Sequence, residues 1–383
     1  MGKNRFADLN GQSLEEQRDL ATEAHHSVGF FLEFFSFFAP AGLPLLCLIP
    51  CQPFFPKPLS ELPRSEWLRL FEVLEAHGLI IRTTSELCLL ECVQEGVRAD
   101  LDGERAKQLI YSGVQFVASL TQIPAFKRMD IVNRVSWHTV VLARWAAQTG
   151  QKKLLAPLLE LLDRQGRLLI GVWPDRAIIS HRQAVALCRV LQGDEHPSVA
   201  IRINNLAEAW HRLGEHERAD GFFQQALALA EKALGGEHQL VANLLGNLGM
   251  LRRDQGKIEE ATGFFQRALA IMEQKHGLEN PLVNLCVNGL GRIIRSRDGA
   301  VEAAQFLGIS LAKSNKVSRE KSHPHVALIY NNLAVLQIEI GEGDLARENL
   351  LVSLEVAKQS LPETHPLFGQ ISGNLMLLES PPE

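Results

Sequence analysis

Residues 196–229 read HPSVAIRINNLAEAWHRLGEHERADGFFQQALAL, and residues 238–271 repeat that pattern as HQLVANLLGNLGMLRRDQGKIEEATGFFQRALAI. The second copy follows the first at a fixed offset of 42 residues. The residue types kept at equivalent positions include Asn205 and Asn247, Leu206 and Leu248, Gly214 and Gly256, Ala219 and Ala261, Phe223 and Phe265, and Ala226 and Ala268. A period of this size is typical of a solenoid of repeated supersecondary units, so the sequence predicts a repeat fold.

The period continues on both sides of these two copies. Ala177 and Ala184 lie 42 residues before Ala219 and Ala226, which predicts the second helix of a degenerate leading repeat, with Trp173-Pro174 interrupting the turn before it. Later copies are marked by Leu290 and Ala303, by Leu333 and Ala346 after one extra residue, and by Leu375 in a terminal half copy. The last single helix is therefore expected to cap the array.

Each unit is predicted to contain two antiparallel helices. The inner turns are expected at Gly214, Gly256, Asp298 and Gly341. The first helices are expected to open at His196-Pro197, Asn280-Pro281, His323-Pro324 and His365-Pro366. Proline suits the first helical position because its missing N–H would be unpaired there in any case. Phe222/Phe223 and Phe264/Phe265 are predicted to fill the space between neighbouring units.

This pattern resembles tetratricopeptide repeats (TPRs), lengthened from their usual period of about 34 residues. It is similar to the long TPRs of kinesin light chains over about residues 175–379. The resemblance implies a mainly α fold with an α-solenoid whose concave groove binds a protein or peptide partner, and hence a protein–protein interaction scaffold without enzyme activity.

The candidate binding residues form a ladder of asparagines, with one or two in most units. They are Asn204, Asn205, Asn247, Asn288, Asn331, Asn332 and Asn374; Gly289 replaces the ladder residue in the third unit. In TPR proteins this face of the first helix lines the groove, so the resemblance implies that the amides bind the backbone of an extended peptide. An amide offers both a donor and an acceptor for that purpose. The alternative is that the asparagines only join adjacent helices inside the solenoid.

Six charged or polar residues are expected near this ladder. They are Glu208, Arg212, Asn243, Asp254, Arg292 and Glu339. Because their charges are mixed, the sequence favours neither an acidic nor a basic ligand.

The segment before the array predicts helices followed by a short hairpin. Ser13 and Glu16 have capping-box spacing. Residues 64–79 show a helical pattern ending at Gly78, and LIIRT and ELCLL flank a turn at Thr84-Ser85. This order is that of a winged-helix domain, and residues 26–120 resemble the winged-helix segment of signal-transduction ATPases with numerous domains (STAND ATPases). In that family a histidine thought to sense nucleotide stands where this chain has Leu90.

The same resemblance supplies a second functional hypothesis. The sequence has no G-x-x-x-x-G-K-[ST] motif for phosphates, and only about 25 residues precede the winged-helix-like part. The chain is thus expected to be either a scaffold or the regulatory arm of a split or decayed STAND ATPase, with a nucleotide-binding protein as possible partner. The predicted domains are a tail at residues 1–25, a winged-helix-like domain at 26–120, a helical connector at 121–194 and the solenoid at 195–383.

Composition excludes several classes of site. The net charge of −5 gives no electrostatic basis for nucleic-acid or membrane binding. Six cysteines in 383 residues favour a reducing, cytoplasmic setting. The pairs Cys47/Cys51 and Cys88/Cys92 are interpreted as core cysteines rather than zinc ligands, and no cofactor is predicted. Glu33 and three prolines within residues 27–50 favour a buried helix and an apolar loop over a membrane span.

Overall fold

The computed structural model describes residues 13–40, 42–48, 52–84, 86–120, 129–275, 281–317, 324–361 and 365–379. The chain divides into two compact units, Met1–Leu213 and Gly214–Glu383. This division lies inside the repeat array, and the four-part domain organisation expected from the sequence stays a prediction.

The first unit contains three short strands and ten α-helices among its described residues. Their bounds are α1 Leu14–Ala24, α2 Val28–Phe35, β1 Leu43–Pro44, α3 Leu45–Leu48, α4 Arg64–Ala76, β2 Ile80–Arg82, β3 Glu86–Leu89, α5 Glu91–Asp100, α6 Gly103–Leu120, α7 Met129–Gln148, α8 Lys152–Leu169, α9 Pro174–Gln192 and α10 Pro197–Arg212.

The second unit is helical throughout its described residues. The bounds are α11 His216–Leu234, α12 Gln239–Asp254, α13 Ile258–Lys275, α14 Pro281–Arg297, α15 Ala300–Val317, α16 Pro324–Glu339, α17 Gly343–Ser360 and α18 Pro366–Glu379.

An aromatic cluster forms the core of the N-terminal part. Helix α1 begins with the expected capping box between Ser13 and Glu16. Helix α2 is buried on most sides, with Phe31, Phe34 and Phe35 at most 3% exposed. The ring of Phe34 lies edge-on to Phe116 of α6, with 6.0 Å between centroids. Such tilted packing suits aromatic quadrupoles and anchors α2 inside the unit.

The predicted hairpin is formed by β2 and β3. The two strands pair antiparallel, with Ile80 opposite Leu89. The two-residue strand β1 adds a third member, with Leu43 opposite Leu87, so that the sheet order is β1-β3-β2. The sequence did not predict β1, because a two-residue strand that contains proline has no periodic signal.

Helix pairs α12/α13, α14/α15 and α16/α17 make the repeats of the second unit. The small residues Ala261, Ala303 and Ala346 are fully buried, as close helix packing requires. The inner turns use a left-handed glycine at Gly214, Gly256 and Gly341. In the third unit Asp298 lies in the inner turn as expected, and the left-handed residue is the following Gly299 with φ 114°, because a residue without Cβ adopts that backbone easily.

Proline opens all four first helices that the sequence indicated, at Pro197, Pro281, Pro324 and Pro366. Pro174 does the same for α9, so Trp173-Pro174 starts a helix rather than disturbing a turn. The repeated histidines also contribute to the regular starts of the first helices. Nδ1 of His238 accepts the backbone N–H of Leu240 at 3.1 Å, and His196 and His365 make the same bond to Ser198 and Leu367. These histidines therefore act as N-caps.

Candidate functional site

The asparagine ladder is divided between the two units. Asn204 and Asn205 lie half-buried in α10 of the first unit. The remaining asparagines belong to α12, α14, α16 and α18 of the second unit, where Asn247, Asn332 and Asn374 are half-buried and Asn288 and Asn331 are buried. The first helices thus carry every ladder residue, as the repeat pattern predicted.

Two pairs of ladder amides are hydrogen-bonded between successive first helices. Nδ2 of Asn332 donates to Oδ1 of Asn288 at 2.9 Å, joining α16 to α14. Nδ2 of Asn374 donates to Oδ1 of Asn331 at 3.0 Å, joining α18 to α16. These four amides therefore connect helices, which was the alternative interpretation of the ladder. Binding of a peptide by any ladder residue stays a prediction.

A cavity of about 430 Å³ opens on the face where these first helices meet. Its walls include Met250 of α12, Asn288 and Arg292 of α14, Asn332 and Val335 of α16, and Gln370 of α18. Two ladder amides are thus part of one concave surface within the second unit. A volume of this size is in the range of ligand-binding clefts.

Asn288 has an unpaired donor in the wall of this cavity. The side chain is only 7% exposed. Its oxygen accepts from Asn332, whereas its Nδ2 has no hydrogen-bond partner. A buried donor without a partner costs about 1–3 kcal/mol, so it is a feature that a ligand acceptor could relieve.

Three arginines line the same cavity: Arg253, Arg292 and Arg295. Arg253 pairs with Asp254 at 2.7 Å, and Arg295 pairs with Glu339 at 2.7 Å. Arg292 makes no ion pair or hydrogen bond with any residue that the structure describes. The charge of Arg253 is the largest cause that lowers the pKa of Arg292, followed by burial. The nearby carboxylate of Asp254 opposes this lowering of the pKa of Arg292.

The sequence analysis named Arg292 but missed Arg253 and Arg295. A signal for both was present, because Arg295 follows Arg253 by one 42-residue period and so occupies the equivalent repeat position. Of the other residues expected near the groove, Asp254 and Glu339 are the partners of these two arginines. Glu208 and Arg212 face each other at 3.9 Å in the first unit, where burial raises the pKa of Glu208 and Arg212 opposes it.

Packing explains why the third unit has Gly289 at the position where other units have an asparagine. A Cβ built on Gly289 would lie 2.5 Å from Cζ of Phe265, and one on Gly249 would lie 2.8 Å from Cδ1 of the same ring. Phe265 is fully buried between α12 and α14, as its predicted place between units requires. The third unit therefore cannot hold an asparagine at this position without moving that ring.

A buried ion pair occurs in the first unit. Asp163 of α8 lies 2.9 Å from Arg202 of α10, with both side chains largely buried. Burial raises the pKa of Asp163, and the charge of Arg202 opposes that rise. The pair joins the degenerate leading repeat to the next first helix.

The segment that resembles the STAND sensor phrase has structural contacts. Leu90 is the N-cap residue of α5. Nε2 of Gln94 donates to the carbonyls of Phe35 and Phe38 at 3.0 and 3.1 Å, and Arg98 donates to the carbonyl of Ser36. These side chains bind backbone carbonyls at and just after the end of α2, where the carbonyl of Phe35 also accepts the N–H of Phe38.

Cysteine and histidine side chains form no recognisable metal centre in the described ranges. Cys88 lies in β3 and Cys92 in α5, and both are free. The side chain of Cys47 and the whole of Cys51 fall outside what the structure describes. Among the described residues no group of three His, Cys, Asp or Glu side chains could hold a metal ion. None of the described helices has the length and apolar character needed to cross a bilayer.

Comparison with known proteins agrees with the repeat pattern. The tetratricopeptide repeat family matches residues 174–232 and 202–274. No curated protein gives a significant match.

The search of solved structures also found matches of low identity. BtubC (BKLC) from P. vanneervenii is 19% identical over 68% of this chain and 92% of its own, with a TM-score of 0.42. A signal transduction ATPase with numerous domains and a tetratricopeptide repeat sensor, from Pyrococcus horikoshii, is 16% identical over 91% of this chain and 51% of its own, with a TM-score of 0.38. Aspartyl phosphate phosphatase F from Bacillus subtilis is 12% identical over 98% and 96%, with a TM-score of 0.44. Residues 174–274 of the chain are tetratricopeptide repeats.

Proposed function

We propose that this protein is an interaction scaffold that binds a peptide segment of a partner protein on the first helices of its second unit. TPR solenoids present concave surfaces that serve protein recognition. The observation that carries the proposal is the unpaired Nδ2 of Asn288, buried in the wall of the 430 Å³ cavity between α12, α14 and α16. An extended peptide backbone supplies carbonyl acceptors for such a donor.

A cavity-filling variant tests this proposal. Val335 is half-buried and lines the cavity, so Val335→Trp would occupy the space that the peptide needs. Met250→Trp fills the same space from α12 and provides a second test in case Val335→Trp does not fold. Ile309→Trp is the matched control, because Ile309 is 59% exposed on the second helix α15.

The experiment is a selection of peptides from a random display library on the immobilised full-length protein, followed by titration with the recovered peptides. We expect both cavity variants to lose affinity and Ile309→Trp to keep it. If no peptide is recovered, or if the peptides bind the cavity variants as well as the original protein, the proposal is wrong.

A regulatory arm acting with a nucleotide-binding protein is the second candidate. An exposed apolar patch on α1 and α2 would favour it. In the described residues 13–40, however, the exposed large hydrophobic side chains are Leu20 at 42% and Phe30 at 38%, while the other aromatic residues of α2 are buried. The groove therefore has the stronger physical support. Since no catalytic constellation is visible in the sequence, we do not propose an enzyme activity.

A further inference from the structure

A second cavity lies within the first unit, between α3, the first turns of α4 and the end of strand β2. Its volume is about 170 Å³. Its apolar walls include Leu48, Trp67, Leu68 and Phe71, and the polar side chains that line it among the described residues are Arg64 and Arg82. The cavity therefore combines an apolar interior with cationic groups.

The aromatic wall of this cavity is held in place by other rings. Trp67 and Phe71 are buried, and their ring centroids are 5.6 Å apart. The ring of Trp67 also packs against Phe31 of α2 at 6.3 Å and against Phe55 at 5.3 Å. This packing fixes the position of the wall, as in ligand sites that are largely preformed.

The volume limits the size of the apolar group that fits. An apolar cavity of about 150 Å³ holds a benzene molecule. At about 170 Å³, this cavity has room for one six-membered ring. An aromatic ring suits the wall best, because it can lie offset or edge-on against Trp67 and Phe71.

The guanidinium of Arg64 makes no ion pair or hydrogen bond with any residue that the structure describes. The acidic residues nearest to it in the sequence contact other side chains. Glu61 pairs with Lys57, and Glu66 lies 3.3 Å from His25. Arg64 is thus available to an anion from outside the protein.

The other arginine of the cavity has a partner within the protein. Arg82 lies 2.9 Å from the carboxylate of Glu75. One counter-charge is therefore enough for the two arginines that line the cavity. A carboxylate suits Arg64 because a guanidinium can donate two parallel hydrogen bonds to its two oxygens.

We propose that this cavity binds a small aromatic monocarboxylate, with its ring on Trp67 and Phe71 and its carboxylate on the guanidinium of Arg64. The ring matches the volume and the aromatic wall, and the carboxylate supplies the counter-charge. A neutral ligand would remove water from Arg64 without that compensation, which is unfavourable. The proposal does not rest on peptide binding, because every residue that lines this cavity belongs to the first unit.

The test uses three small probes on the full-length protein. Phenylpropionate has both the ring and the carboxylate, phenylpropanamide keeps the ring without the charge, and acetate keeps the carboxylate without the ring. Dissociation constants are measured by NMR titrations that detect the signals of the probe. For phenylpropionate we expect a value of about 1 mM, as its few atoms allow.

Two variants locate the binding in this cavity. Arg64→Gln removes the guanidinium, and Leu68→Trp fills the cavity from its rim. Both residues are exposed, Leu68 by 54%, so both variants should fold. Arg69→Gln is the charge control, because Arg69 is exposed on the same helix and does not line the cavity. Val190→Trp is the control for an added ring, because Val190 is exposed on α9.

We expect phenylpropionate to bind about tenfold more tightly than the amide or acetate, as one charge-assisted contact partly open to solvent allows. Arg64→Gln should lower its affinity to that of the amide, and Leu68→Trp should abolish its binding. Both control variants should bind it as the original protein does.

Three results would overturn the proposal. They are the absence of saturable phenylpropionate binding, equal affinities for the acid and its amide, and binding that persists in Leu68→Trp. Analytical ultracentrifugation adds a fourth. A dimer of the original protein that Leu68→Trp dissociates would assign the cavity to an interface between two copies of the chain.

Discussion

Phe265 of α13 lies against Gly289 of α14, so close that a Cβ on this glycine would be 2.5 Å from Cζ of the ring. Phe265 is fully buried, and Gly249 of α12 and Gly289 of α14 both lie against its ring, which restricts its movement. We therefore expect Gly289→Ala to destabilise the second unit by about 1–3 kcal/mol through overpacking. The measurement is the midpoint of unfolding in urea, monitored by circular dichroism.

Gly263 provides the matched control for that substitution. It lies in the interior of α13, and a Cβ there would have no atom within 4 Å. Gly263→Ala should therefore raise stability by up to about 1 kcal/mol, because alanine restricts the unfolded chain. When Gly289→Ala is combined with Phe265→Leu, which replaces the ring by a smaller side chain, the loss of stability caused by Gly289→Ala should be smaller. If Gly289→Ala is as well tolerated as Gly263→Ala, the packing explanation for the missing asparagine is wrong.

Substitution of Asn332, which donates a hydrogen bond to Asn288, can distinguish a structural role of the ladder asparagines from a role in peptide binding. Asn332→Ala removes the donor that pairs with Oδ1 of the buried Asn288. We expect a loss of about 1–2 kcal/mol in unfolding free energy, because a buried acceptor loses its partner. Affinity for peptides should fall as well, since the Asn288 amide is no longer held in one orientation.

Asn374→Ala is the control for this prediction, since Asn374 donates in the same way to Asn331 but does not line the cavity. It should cost similar stability and leave peptide binding unchanged. Thermal melts and anisotropy titrations on both variants give the two readouts. Equal binding losses in the two variants would show that the effect on affinity comes from general loosening of the helices.

His238 caps α12 through its Nδ1 and the N–H of Leu240. His238→Ala should destabilise the second unit by about 1 kcal/mol, because one of the free N–H groups of the helix loses its acceptor. His238→Asn keeps an acceptor at the same position and should restore most of the stability. Chemical denaturation of the three proteins measures this order, and equal midpoints for the alanine and asparagine variants would contradict the capping role.

The repeat array and its turns follow from the sequence because their signals are local or periodic. The offset of 42 residues is a periodic signal that the sequence shows directly, whereas the prolines that open helices and the glycines of the inner turns act within a few residues. The capping box of Ser13 and the β2–β3 hairpin are local for the same reason.

What the sequence did not predict depends on contacts between distant elements. Strand β1 exists only by pairing with β3, about 44 residues further on. The cavity brings together arginines of α12 and α14 whose common repeat position was visible, but their convergence and ion pairs were not. The asparagine pairs were the least predictable, since the same ladder pattern is compatible with contacts to a ligand or to the next helix.

Two buried histidines should make the first unit sensitive to acid. Burial lowers the pKa of both His138 and His181 from 6.5 to about 4, and the charge of Arg167 adds to the effect at His181. In the unfolded chain both imidazoles titrate near 6.5, so below that pH the unfolded state binds more protons. Their contribution to stability is complete above about pH 6.5, declines as the pH falls from about 6.5 to about 4, and levels off below that, with a total loss of roughly 3 kcal/mol for each histidine.

The substitution His138→Phe removes one of these titrations and keeps a ring in contact with Phe38, whose centroid is 5.6 Å from that of His138. Urea unfolding of the original and variant proteins between pH 7.5 and 4 gives the difference in stability at each pH. Carboxylates titrate equally in both proteins, so they cancel in this difference. We expect the variant to gain relative stability steadily below about pH 6.5, because its unfolded state takes up one proton fewer. A difference that stays constant over this range would mean that His138 is protonated as readily in the folded protein as in the unfolded chain.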